Sequence, residues 1–135
     1  MPLFTLDQAK AGIRAISTGT TGGAHLEVFN QFLSITTLAS EGIYVARVYQ
    51  ADRINHSGGI TPGGRVYQIK DKIEMYLMTS QDNPYVDNLL GIFATFIDDS
   101  LFSGYFQREH TIEQIYGNNN EQYKIIFDLT RLQLI

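Results

Sequence analysis

The chain contains no cysteine. That excludes disulfides, thiolate nucleophiles and every zinc site built on Cys ligands, and it leaves the compartment open. Charge is also sparse, since only 18% of the 135 residues are Asp, Glu, Lys or Arg. A formal net charge of −4 argues against a general affinity for nucleic acid, because that affinity comes from Lys and Arg neutralising phosphates. No apolar run is long enough for a membrane span. The opening "MPLFTLDQAKAG" lacks both the basic start and the apolar centre of a signal peptide, so it predicts a protein made and kept in a cytoplasm.

What is present is an ordinary globular composition, 44% hydrophobic with eight Tyr and eight Phe. A chain of this length predicts a single domain over 1–135 with an adequate core. The charges are unevenly placed. From Ser80 to Glu121 seven acids face Arg108 alone, a net −6, while the rest of the chain is net +2. This suits head-to-tail contacts between copies; scattered solvated charge explains it equally well.

Periodicity predicts an amphipathic helix over Thr5–Ile16, with Leu6, Ala9, Ile13 and Ile16 on one face and Thr5 as its cap. "STGTTGG" ends it. Ala24 to Ser40 reads either as helix or as extended chain. "GIYVARVYQA" is a strand apolar on both faces, with Ile43, Val45 and Tyr49 on one and Tyr44, Ala46 and Val48 on the other. Arg65 to Ser80 alternates clearly, with Asp71 as the exception on its apolar side, a mark of a bulge or a register shift. Between these strands lies a loop of about 52–64.

"DNPYVDNLLGIFATFIDDSLFSG" predicts a long helix, capped by Asp82 or Asn83, with Pro84 in its first turn and Gly104 past its end. Asp98 and Asp99 then fall at the negative end of the dipole, where they need a basic partner, water or an earlier helix end. Tyr105–Tyr116 and Gln122–Leu134 complete a hairpin around "GNNNE". The predicted fold is therefore α+β: a mainly antiparallel sheet of about four strands, the long helix packed on one face, and a short N-terminal helix.

Catalytic motifs fail on inspection. In "RINHSGGITPGGRVYQ" the glycines lead into a strand rather than a helix, and "HSGGITPGGR" has no Lys to reach a phosphate. His56 and Ser57 are adjacent, a poor geometry for base and nucleophile. His25, His56 and His110 show no metal-binding spacing. Asp98 and Asp99 diverge around a helix, so they make no carboxylate pair. On the strand after Gly104, Glu109 and Glu113 share one face with Gln107 and Thr111, giving either a wet acidic surface or an ordinary solvent face. The long loop reads as a flexible hairpin tip in which Ile54, His56, Ile60, Pro62 and Arg65 are candidates for assembly contacts.

The opening helix "LDQAKAGIRAIS", the strand and loop "GIYVARVYQADRINHSGGITPGG", the strand "RVYQIKDKIEMYLMTS", the helix "NPYVDNLLGIFATFIDDSLF" and the closing hairpin together resemble the tail terminator (tail completion) proteins of long-tailed bacteriophages. The likeness covers most of the chain and lies in topology rather than in a motif. It implies a structural virion protein and not an enzyme, without cofactor or metal. Such a protein forms a ring, hexameric in the family, that caps the tail tube and meets the neck or connector. DNA passes through the ring without sequence-specific binding, and no membrane is involved. Asp98, Asp99, Glu109 and Glu113 become candidates for an acidic surface or lumen that holds DNA off the wall. Two alternatives remain: another ring-forming neck or tail component, or a small-ligand-binding α+β domain.

Overall fold

A computed structural model describes residues 3–29, 41–54, 60–61, 64–80, 82–116 and 120–134. Helix α1 (Leu6–Thr18) begins with a capping box, in which Thr5 Oγ1 accepts from the Gln8 N–H and Gln8 Oε1 from the Thr5 N–H. Ala9, Ile13 and Ser17 form its buried stripe. Strands β1 (Glu27–Phe29), β2 (Gly42–Ile54), β3 (Ile60–Thr61) and β4 (Gly64–Ser80) follow, then helix α2 (Val86–Phe96) and a 3-10 turn (Ser100–Phe102). The hairpin β5 (Gln107–Tyr116) and β6 (Asn120–Leu134) closes the chain.

The class is α+β, but the sheet is larger than expected and is mixed. Its strands run β1-β2-β4-β6-β5, with β3 paired to β4 off that path. The β1–β2 pair is parallel and the others are antiparallel. The ambiguous segment contributes β1, whose Val28 is buried in the core; residues 30–40 lie outside the described ones.

The helices also depart from expectation, because α2 has 11 residues and α1 has 13. The signals before and after α2 are turn signals rather than helix signals. Asp82 takes a left-handed φ of 68°, and Asn83 Oδ1 accepts from the Tyr85 N–H at 2.8 Å, so the turn occupies Pro84 and the helix starts at Val86. At the other end Asp99 leaves the helix and caps the 3-10 turn, accepting from the Leu101 N–H at 2.8 Å. The early stop resolves the unfavourable placement of the two acids. The Arg108 guanidinium, donating to the Ile97 carbonyl at 3.1 Å, supplies positive charge where the α2 dipole is negative.

Both helices lie on one face of the sheet. Ile13 of α1 and Leu89, Ile92, Phe93 and Phe96 of α2 bury against Ile43, Val45, Ile73, Met75, Leu77, Ile125, Phe127 and Leu129. Phe102, brought inward by the 3-10 turn, stands edge-on to Phe4, Phe96 and Phe127 at 5.1, 5.0 and 5.9 Å. Such pairs add about 0.5–1.5 kcal/mol each beyond burial. The far face carries a separate cluster of Tyr44, Ala46, Tyr76 and Met78, with Phe29 stacked on Tyr44 at 4.6 Å.

Candidate assembly surface

The helix face and the far face of the sheet present different chemistry, fixed by register. On the far face, Lys70, Lys72, Glu74, Tyr76 and Met78 of β4 lie opposite Thr130, Asp128, Ile126, Lys124 and Gln122 of β6. In turn these face Gln107, Glu109, Thr111, Glu113 and Ile115 of β5. Glu109 and Glu113 therefore do share a face, as their alternation predicts. That face is of mixed charge rather than acidic: Glu113 pairs across from Lys124, and Lys72 Nζ sits 3.7 Å from Asp128 Oδ1, next to Glu109. Asp98 and Asp99 are elsewhere, beyond α2 in the helix layer, with Asp98 exposed and Asp99 half-buried. The four candidate acids do not form one surface.

Strand β5 is the edge of the sheet and pairs only with β6 among the described residues. It is exposed from Gln107 to Gln114 on both faces, and the adjoining Phe106 is 57% exposed. On its helix-face side stand Arg108, His110 and Ile112, opposite Leu129, Phe127 and Ile125. The imidazole of His110 meets the ring of Phe127 edge-on at 6.2 Å. At the opposite edge β1 spans three residues among the described ones, with α1 beside it. The two edges are thus unlike in length and chemistry.

Of the proposed loop contacts, Ile54 ends β2, Ile60 begins β3, and Arg65 pairs with Ile60 in β4. His56 and Pro62 lie outside the described residues. The long hairpin itself is present, since β2 and β4 pair in register as far out as Ile54 and Gln68.

One buried cluster stands out that sequence reasoning only touched. Asp71 is fully buried on the helix face, where the Tyr105 hydroxyl donates to its Oδ2 at 2.5 Å and Arg131 Nε donates to the same oxygen at 2.8 Å. The Leu3 N–H donates to the Tyr105 hydroxyl at 3.1 Å, so the cluster joins β4, β6, the segment leading into β5 and the N-terminal segment. Asp71 Oδ1 has no hydrogen-bond partner among the described residues. Burial and then the Asp71 hydrogen bond push the Tyr105 hydroxyl well above its ordinary value. The sequence held a signal for this cluster. Asp71 and Arg131 both occupy inward positions of their strands, and opposite charges in apolar alternations are candidates for each other.

His25 lies 3.5 Å from Glu41 at the surface, and among the described residues no group of three His, Asp or Glu side chains could hold a metal. None of the described helices is long and apolar enough to cross a membrane. No protein-family model matches the chain, and no curated protein matches its sequence.

Proposed function

We propose that the chain is a ring-forming structural subunit of a bacteriophage tail, a terminator that caps the tail tube and meets the neck or connector. Six copies enclose a lumen through which DNA passes. The observation that carries this reading is the asymmetry of the sheet edges. A protein with an edge strand exposed from Gln107 to Gln114 at one side and, among the described residues, a three-residue strand flanked by a helix at the other has two different surfaces to offer. Unlike surfaces meet head to tail, and a head-to-tail contact that closes produces a ring. The order of elements, helix, short strand, hairpin, helix, hairpin, is compatible with this reading.

The far face suits the lumen. Across β4, β5 and β6 it carries Lys70, Lys72 and Lys124 against Glu74, Glu109, Glu113 and Asp128, one acid more than bases. A lumen without net positive charge gives DNA no phosphate-neutralising wall and lets it slide. Native mass spectrometry with electron microscopy tests the reading. The expected species is a closed ring of six 15.2 kDa chains with an open centre, found at the head-proximal end of tails. A persistent monomer, or a two-fold dimer, overturns it.

A further inference from the structure

The helix layer ends in two flanks of opposite charge. Each residue advances a helix by about 100°. Gly12 marks the side of α1 turned toward α2, because a Cβ there would stand 2.6 Å from Phe96 Cε1. Lys10 and Arg14 are two residues away on either side and so lie on the opposite flank, about 200° around. They line a shallow groove of about 420 Å³ with Asp7, Ala11 and Ala15. Phe96 likewise marks the side of α2 turned toward α1. Asp87, nine residues from it, is about 180° away on the far flank with Ala94, and Asp98 follows two residues past the helix end; all three are exposed. Lys10, Arg14, Asp87 and Asp98 form no ion pair among the described residues.

We propose that these flanks are the two halves of the contact between copies: the α1 groove of one chain receives the Asp87–Asp98 side of α2 from the next. The groove is net +1 and its occupant net −2, so opposite charge favours the encounter and like flanks repel. Close approach is available on both sides. Ala11 and Ala15 floor the groove, and a Cβ on the exposed Gly91 of α2 would meet nothing within 4 Å. Small residues of this kind allow helix axes to come within about 8–10 Å. Each chain uses each flank once, as a head-to-tail ring demands. The inference rests on the ring reading and gives it an interface.

The test is charge exchange. One chain carries Lys10→Glu with Arg14→Glu, another Asp87→Lys with Asp98→Lys, and circular dichroism verifies that each is folded. Native mass spectrometry should show that each variant alone loses the ring, and that an equimolar mixture restores it to the wild-type level. Rings from either variant alone overturn this contact while the ring reading stands. A folded mixture that stays monomeric overturns the contact as well, and one that stops at dimers overturns its head-to-tail sense. A wild-type chain that never assembles overturns the ring reading itself and the contact with it.

Discussion

Asp71 and Lys72 are neighbours in β4, and each makes an ion pair with β6, yet the pairs lie on opposite faces of the sheet. The Asp71–Arg131 pair is 2.8 Å long between side chains 0% and 7% exposed, whereas Lys72–Asp128 spans 3.7 Å with both partners about one-third exposed. A one-residue step thus separates a charge sealed under the helices from one in contact with water. Burial makes the first pair costly to leave half-made, while water makes the second dispensable. Asp71→Leu should strand the Arg131 guanidinium and lower stability by about 3–5 kcal/mol. Adding Arg131→Met should recover most of that loss, because an apolar pair of similar volume carries no desolvation penalty. Urea unfolding of the single and double variants measures both. A single-variant loss below about 1 kcal/mol would place the Asp71 pair in the same class as the exposed one.

The alkaline limb of stability sharpens the contrast at a smaller scale. Tyr105 has its hydroxyl raised from 10.0 by burial, then by the Asp71 hydrogen bond, and Tyr123 is pushed up to about 12 by burial and its bond to Glu121. Both hydroxyls hold their protons more tightly in the folded chain than in the unfolded one. Their contribution is therefore fully present below pH 10 and is lost as the pH rises through the folded values. Thermal melting between pH 9 and 12 should show a steepening fall, less steep in Tyr105→Phe. At neutral pH that variant should cost about 1–3 kcal/mol, since Asp71 Oδ2 loses one of its two donors. An unchanged alkaline slope would remove Tyr105 from the account.

The strands were largely legible in the sequence, and the helix boundaries and register shifts were not. Alternation in Arg65–Ser80 identified β4, its inward face and Asp71 as the misfit. In β2 the alternation fails at a bulge. Val45 pairs with Met75 but Arg47 with Glu74, so Val48 joins Ile43 and Val45 on the helix face, the reverse of a simple period of two. Gly42–Ala51 alone gives no cue for that extra residue. A second shift falls between Gln50 and Arg53 in β2, whereas β4 runs through Asp71 in unbroken register with β6, so the misfit marks the buried partner of Arg131 rather than a bulge in its own strand. The capping run before α2 misled because Asn and Asp serve turns and helix caps alike. Of the candidate acids, the shared face of Glu109 and Glu113 followed from period-two spacing. The lysines across from them could be placed only once β4, β6 and β5 were in register.

Lys72→Met is the smallest of these perturbations and the one that fixes the scale of the others. The side chain is partly wet and 3.7 Å from Asp128, so the pair gains little Coulomb energy and is further weakened by salt. Its removal should change stability by no more than about 1 kcal/mol, with a smaller effect at high ionic strength. Asp128 keeps its access to solvent, and no charge is left buried. Paired urea titrations at low and high salt make the measurement. A loss comparable to that of Asp71→Leu would mean that the far face is sealed from water in the folded protein, which would remove it as the wall of a channel for DNA.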